Sequence, residues 1–583
     1  MFQECGRTVW VSCAFFTVFC MIMLVSGCSQ APTNVTISPT AVAMGTGQTV
    51  QFKPVVTNDS AVVSWSATAG TIDANGNYTA PAGSPSMTVT VTATLAKDHS
   101  KTATATVNVV APGQVTATAN TQVASYAISP AAAGNVSVQF GISTNYGLTT
   151  WTQAVPAGGG PVSLFVAGMK GNTLYHMRGV VKFADGTQYM DLDQAFTTQS
   201  VPATQLPAVT ATTTPGMTPQ SGVELLDVVD GNIAHAPVAV TDLDGNILWS
   251  YDPGLEQTLL PNPIKMLPNG HFLINFSGMP VDGTNSILQE VDLTRTLIWQ
   301  MTAAELNSAL AGATCGGDGC SVTIIGTHHD FATLPNGHLI VIASTQQVIS
   351  GTTVTGDVLI DLDQNRKPVW LWNEFDHLDT NRRPYMFPDW THTNAVLYSA
   401  DDGNLIVSIR HQNWIVKVDY ANGSGAGDII WHLGYQGDFA LVGGTDPTDW
   451  FYAQHGPSFT TKNTTGQFGL AVFDNGNDRV FPTGVSPTLY STVPVFSIDE
   501  TAKTATVTFN MTAPTYSFFG GNNAVLSNGN VEFCESAEPT TTAGDIYEVT
   551  QSGSAQTVWH MNVSAQYVYR GQRIPSMYPG VQW

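Results

Sequence analysis

The chain has 583 residues, a formal net charge of −23 and only 20 Lys plus Arg. That acidity excludes nucleic acid as an ordinary partner, although the local field of a pocket can still suit a small anion. The length exceeds one core, so about two to four domains are expected. With 54 Gly, 32 Pro, abundant Thr, Val and Ala and no long Lys/Glu/Leu-rich stretches, the fold class is all-β.

The first element is a leader. "MFQECGRTVWVSCAFFTVFCMIMLVSGCSQ" carries Arg7, an almost wholly apolar run from Val9 to Val25, and then "LVSGC". Ser26 and Gly27 before Cys28 resemble a bacterial lipobox, so residues 1–28 read as a lipoprotein signal and Cys28 as the lipidated mature N-terminus. An ordinary signal peptide and an uncleaved membrane anchor are the alternatives. The chain is expected to be exported, periplasmic or at the cell surface, with Ser29 rather than Asp favouring an outer-membrane anchor. Beyond Cys28 only Cys315, Cys320 and Cys534 remain. "CGGDGC" can close a disulfide in an oxidising compartment, four cysteines at zinc spacing are lacking, and Cys534 reads as a buried free thiol.

Two small β-sandwiches follow. Residues 31–112 alternate short Val/Thr-rich strands with Gly, Asn and Pro turns, and "VVSWSATAGTIDANGNYTAPA" resembles bacterial Ig-like modules, with Trp65 as the expected core aromatic. Residues 116–200 read as a second sandwich similar to a fibronectin type III unit. Both are poor in clustered His, Cys or paired carboxylates, and a spacing or orienting role is expected.

From residue 205 to 583 a unit recurs: apolar strand, Asp, short turn, strand ending in an aromatic. The copies include "VAVTDLDGNILWSYD", "ILQEVDLTRTLIWQM", "VLIDLDQNRKPVWLW" and "DIYEVTQSGSAQTVWHM", closed by Trp249, Trp299, Trp370 and Trp559; Trp431 and Phe509 close the other two. Between them stand hairpin signals such as "KMLPNGHFLINFS" and "YSADDGNLIVSIR". Two hairpins per unit build one four-stranded sheet, so a six-bladed β-propeller is predicted. A sandwich array is the runner-up, and a seventh blade follows if "FGLAVFDNGNDRV" forms its own sheet.

Three successive units carry imidazoles in corresponding loops: His328 and His329 in "GTHHDFATLPNG", His392 with Asn394 in "DWTHTNAVLYSADDG", and His455 in "FYAQHGPSF". Arg410 and His411 end the strand after the second of these turns. Three His can ligate zinc, which a nearby Arg would disfavour. The alternative is oxyanion chemistry, in which an imidazole attacks sulfur or phosphorus while a planar guanidinium holds the oxygens. Arg410 has a plainer reading too, a surface pair with Asp419 or Asp401. "FDNGNDR" offers a Ca²⁺ turn or, more simply, an ordinary one. Phe387, Trp390, Trp450, Phe451, Tyr452 and Phe459 flank the motifs and either shield a pocket or fill the core. No dinucleotide glycine motif or P-loop is evident, so no cofactor is expected.

The stretches "THHDFATLPNGHLIV", "DWTHTNAV", "DDGNLIVSIRHQNWIVKVD", "QHGPSF" and "AVFDNGNDR" together resemble the bacterial arylsulfate sulfotransferase family over residues 205–583. The resemblance implies a six-bladed propeller that moves a sulfuryl group from a phenolic sulfate ester to another phenol through a sulfurylated histidine, without a nucleotide sulfate donor. It also implies that His455 is the nucleophile and that His392, Asn394 and Arg410 bind and polarise the sulfuryl group. His329, favoured over His328, is the further pocket histidine, and Cys315 and Cys320 echo the family's short disulfide loop. A shorter segment between Arg410 and His455 and the tandem N-terminal modules depart from the family pattern and bear on acceptor choice. An aryl sulfate or phosphate hydrolase and a non-enzymatic adhesion or scaffolding propeller are the rival readings.

Overall fold

The computed structural model describes residues 33–583 apart from 59–61, 230–236, 255–258, 279–285, 462, 482, 483, 485, 486, 538–541 and 553. The leader and Cys28 lie outside the described residues. Among the described residues no helix is long and apolar enough to cross a membrane, and the chain is all-β with many sheets. It divides into two compact units, parted between Asn108 and Val109 with short exchanges at 43–46 and 84–87.

In the smaller unit Asn34–Ser38 pairs antiparallel with Lys53–Thr57, and Val63–Ala67 with Met87–Leu95. Alternating Val and Thr put one face inward along Met87–Leu95. The buried aromatics here are Phe52 and Tyr78. Trp65 is only half-buried, because its place on Val63–Ala67 falls in the weakly buried half of that strand.

The larger unit begins with the second sandwich. Gln114–Ala117, Ala124–Ile128 and Val162–Val166 form one sheet, and Gly134–Gly141 with Leu174–Phe183 centres the other. Tyr126, Phe140, Leu164, Met177 and Val181 fill the space between them. The expected boundary near residues 200–205 does not part compact units. The C-terminal tail ties the sandwich down: the Ala167 N–H donates to Tyr578 Oη at 2.7 Å, and Trp583 Nε1 donates to the Thr149 carbonyl at 2.9 Å.

Among the described residues six sheets follow, each built on four antiparallel strands. Their inner edge strands are β1 (Leu259–Met266), β2 (Ile324–Thr333), β3 (Thr393–Ser399), β4 (His455–Phe459), β5 (Asn522–Val525) and β6 (Tyr567–Ile574). Each of these touches the next, and β6 touches β1. The last strand in the chain, β6, completes the first sheet beside Val223–Val229, while Ala208–Thr213 joins the sixth sheet. "FGLAVF" is not a separate sheet: Gln467–Phe473 pairs with β4 and with Val495–Asp499.

Each Asp-to-aromatic unit is the outer hairpin of one sheet. The Asp carboxylate closes the turn by accepting backbone N–H groups two and four residues on, as Asp242 does from Asp244 and Asn246 and Asp292 from Thr294 and Thr296. Three of the closing Trp reach the turn of the neighbouring sheet. Trp249 Nε1 donates to the Leu293 carbonyl at 2.9 Å, Trp370 to Gly425 at 3.1 Å, and Trp559 of the sixth sheet to Leu243 of the first at 2.8 Å. These three buried indoles find their acceptors across sheets and so join successive sheets, whereas the buried Trp431 Nε1 has no acceptor among the described residues. The first and sixth sheets also share a buried ion cluster. Arg573 meets Glu224 at 2.8 Å, Glu548 at 3.2 Å and Glu532 at 3.4 Å.

Cys315 and Cys320 are joined in a disulfide with Cα atoms 5.3 Å apart. Cys534 is free and buried, and burial holds its thiol well above the ordinary range.

Candidate active site

His329, His392, Arg410 and His455 line one cavity of about 100 Å³ whose other walls include Leu260, Asn262, Phe519 and Tyr569. A larger cleft of about 450 Å³ lies where the second sandwich meets the first sheet. Its charged groups, Lys170 and Asp242, pair with each other at 2.8 Å, which leaves the smaller cavity as the candidate site.

Each histidine stands where an inner strand leaves its ladder. The pairing of β2 shifts between Thr327 and Phe331, that of β3 between Thr393 and Ala395, and that of β4 between His455 and Ser458. Bulges of this kind re-aim side chains. His329 and His392 have positive φ of 59° and 52°, as does Ala453, two residues before His455, at 51°. Such strain in non-glycine residues persists only where surrounding bonds hold it.

Those bonds are present. The buried Asp357 carboxylate accepts the Thr391 hydroxyl at 2.9 Å and the Thr393 N–H at 2.7 Å on one oxygen, gripping the chain on both sides of His392. Gly456 must be glycine, since a Cβ there would lie 2.6 Å from Asn522 of β5.

The eighteen-residue step from His392 to Arg410 is one hairpin. Thr393, next to His392, pairs with Ile409, next to Arg410, so the hairpin's open end sets the two side by side. The turn Arg410–Gln412 is fastened to the segment before His392. The His411 N–H donates to the Thr391 carbonyl at 2.9 Å, His411 Nδ1 to the Asp389 carbonyl at 2.7 Å and Gln412 Nε2 to the Trp390 carbonyl at 2.7 Å. Arg410 is buried and pairs with neither Asp419 nor Asp401. Its guanidinium donates to the Phe518 carbonyl at 3.0 Å and meets His411 Nε2 at 3.3 Å, while Nε has no partner. A buried guanidinium with polar capacity left over is a site for an anion.

His455 has a defined tautomer. The Asn475 amide nitrogen donates to the Ser517 and Gly520 carbonyls at 2.8 and 3.1 Å, which turns Asn475 Oδ1 toward the ring. His455 Nδ1 lies 2.6 Å from that oxygen and must carry the hydrogen. Nε2 therefore keeps its lone pair and accepts the Gly520 N–H at 3.3 Å. Burial, reinforced by the Arg410 charge, holds the imidazole well below the ordinary histidine range, so it stays neutral. His392 Nδ1 lies 2.6 Å from Asp389 Oδ2, and its ring stacks on His411 with centroids 4.4 Å apart. Burial would raise the Asp389 carboxyl, but His392 outweighs it and the group sits well below its usual range.

Asn394 is not on the cavity wall. It is the extra residue of the β3 bulge, and its Nδ2 donates to the Gln454 carbonyl at 2.6 Å, bracing the peptide that precedes His455. Trp390, Trp450, Phe451 and Tyr452 fill the cores between sheets, with Phe459 packed against one of them. Phe387 is exposed. The aromatic walls are instead Phe519 and Tyr569, which lie outside every histidine motif. Asn475 stands within "FDNGNDR", whose Asp474 pairs with Arg479. Among the described residues one group, Asp389, His392 and His411, brings potential metal ligands within 4.8 Å of one another. The Arg410 guanidinium, 3.3 Å from His411 Nε2, opposes a divalent cation there.

A protein with neutral, tautomer-fixed imidazole and an uncompensated guanidinium in one cavity has the equipment for transfer of an anionic group. A family profile described as arylsulfotransferase (ASST) matches residues 212–570, and the chain belongs to that family. Among curated proteins nothing matches. Among solved structures, the N-terminal eight Ig domains of Down Syndrome Cell Adhesion Molecule isoform 1.30.30 align at 10% identity with a TM-score of 0.10. That alignment covers 83% of this chain and 54% of the other, so the chain spans about half the length of that structure. A similarity this weak carries no argument about fold or function.

Proposed function

We propose that residues 205–583 form a six-bladed β-propeller that moves a sulfuryl group from an aryl sulfate ester to a phenol by a ping-pong mechanism through sulfated His455. The observation that carries this reading is the His455 ring. Its Nδ1–H is committed to Asn475, its unprotonated Nε2 is met only by the long 3.3 Å contact from the Gly520 N–H, and among the described residues Arg410 beside it has no carboxylate partner. As Nε2 attacks sulfur, the aryl oxygen leaves and the sulfuryl oxygens meet Arg410 and His392. The Gly520 N–H, already 3.3 Å from the attacking nitrogen, is placed to follow charge onto one of those oxygens. No cofactor takes part. Export and attachment to the outer membrane through Cys28 belong to the same proposal and rest on the leader sequence alone.

The test uses excess 4-nitrophenyl sulfate with the purified protein. A mass gain of ~80 Da, one sulfuryl group, that disappears on adding phenol is the expected result. Phenolate release that ignores the acceptor would instead mean a hydrolase. A folded protein giving neither release nor adduct with several sulfate esters would return the chain to the adhesion reading.

The pH dependence follows from the depressed basicity of His455. Protonating Nε2 removes the nucleophile, and burial postpones that protonation to more acid solution. With an activated donor, the single-turnover sulfurylation rate is therefore expected to stay level from pH 8 down through about 6.5, with its acid limb below. A limb centred at or above the ordinary histidine value would contradict the burial seen here.

A further inference from the structure

We propose that Asp357 and His328 act through His329 as a proton relay, supplying the proton that the leaving phenol takes up and the accepting phenol gives back. The proposal rests on the sulfuryl-transfer reading above. It also separates the adjacent histidines of "HHD" by role.

His328 and His329 meet nitrogen to nitrogen, Nδ1 to Nδ1, at 2.6 Å. Two imidazoles this close share one hydrogen, which belongs to either ring. The far nitrogen of His328, Nε2, lies 3.0 Å from Asp357 Oδ1 and 2.8 Å from Ser344 Oγ, and Ser344 itself reaches Asp357 at 3.1 Å. With the Ser344 hydroxyl donating to the carboxylate, His328 Nε2 carries a hydrogen in either state. The ring beyond, His329, lines the reaction cavity, with Nδ1 turned to His328 and Nε2 on the opposite side. Its N–H donates to Asn262 Oδ1 at 3.0 Å and its carbonyl accepts the Tyr569 hydroxyl at 3.3 Å, so the backbone is fixed on both sides.

The surroundings decide where positive charge rests. His329 is held well below the ordinary histidine range by burial and then by His392, His328, His455 and Arg410. Of the adjacent pair, His328 is the ring that meets a carboxylate, Asp357 at 3.0 Å. Burial and the neighbouring Asp357 charge hold the Glu374 carboxyl well above its usual range, so Glu374 keeps its proton beside the carboxylate that His328 meets.

The protons balance. The cycle starts with the pair's extra proton on His328, its Nδ1–H directed at His329 Nδ1, and with His329 Nε2–H turned to the ester oxygen. As the His455 Nε2–S bond forms and the S–O bond to the aryl group breaks, the leaving oxygen takes the Nε2 proton. His329 Nδ1 then takes one from His328, which becomes neutral. In the second half-reaction the phenol oxygen bonds to sulfur as the N–S bond breaks. Its proton goes to His329 Nε2, and Nδ1–H returns to His328. Solvent supplies nothing over the cycle.

The experiment measures single-turnover sulfurylation of full-length wild type and Asp357→Asn by aryl sulfates whose phenols have pKa from about 4 to about 10. A relay matters most where the leaving oxygen is most basic. The variant is expected to lose some rate with every donor through the loosened grip around His392, and to lose a further factor of about 10²–10³ between the most acidic phenol and the least acidic. Activity at the acidic end also shows that the variant is folded. If Asp357→Asn does not fold, His328→Gln takes its place, and a wild-type solvent isotope effect confined to the basic leaving groups reads the same relay without a variant. Equal losses across the series, or an isotope effect independent of the leaving group, overturn the relay and leave sulfuryl transfer standing. Absence of adduct from wild type with every donor overturns the sulfuryl-transfer reading itself.

Discussion

His455→Ala is expected to lower aryl sulfate turnover by about 10⁴-fold or more and to remove the covalent adduct altogether. No other group in the cavity can replace it. His329 is turned toward His328 through Nδ1, and His392 toward Asp389. Both rings are thus held by partners that suit binding and proton transfer. The substitution leaves Asn475 Oδ1 without its donor, at a cost of about 1–3 kcal/mol, which a fold of this size tolerates. Added imidazole should enter the space vacated and restore phenolate release in the variant without any gain in protein mass. An adduct that persists in the alanine variant would move the nucleophile to another residue.

Much of this arrangement is legible in the residues themselves. The Asp-to-aromatic hairpins predict six sheets because the unit recurs six times; in the first three copies an Asp closes the turn, and Trp249, Trp370 and Trp559 reach the next sheet. The three histidines stand at corresponding points because each sits at a break in an inner strand's pairing, His329 within β2, His392 just before β3 and His455 at the start of β4. Asn394 shows where the pattern stops being readable. Two residues after His392, it would share that residue's side in a regular strand, but the bulge between Thr393 and Ala395 turns it to the Gln454 carbonyl. Asn475 sits in a turn-like motif whose composition also suits Ca²⁺, and only the fold sets its amide against His455. Phe519 and Tyr569 carry no local signal, since the cavity recruits them from the loop before β5 and from β6. Trp65 misleads for a similar reason: an aromatic in a Val/Ser strand looks central until the partner strands decide which half is covered.

Arg410→Met is expected to separate catalysis from stability. The guanidinium is the permanent cation on the cavity wall, and its loss should lower kcat/KM for sulfate esters by about 10³-fold, the scale for removing a group that stabilises transferring oxygens. Stability should move little, by ~1 kcal/mol or less, because no carboxylate is left behind and a buried cation gives way to an apolar chain of similar length. The bonds lost are to the Phe518 carbonyl and His411 Nε2. Arg410→Lys should recover only a small part of the rate, since an ammonium presents no planar fork to two oxygens at once. Thermal unfolding and sulfurylation rates measured on the same samples check both halves. A large fall in melting temperature would make Arg410 a structural residue, and an unchanged rate would mean that His392 and the Gly520 N–H carry the sulfuryl oxygens without it.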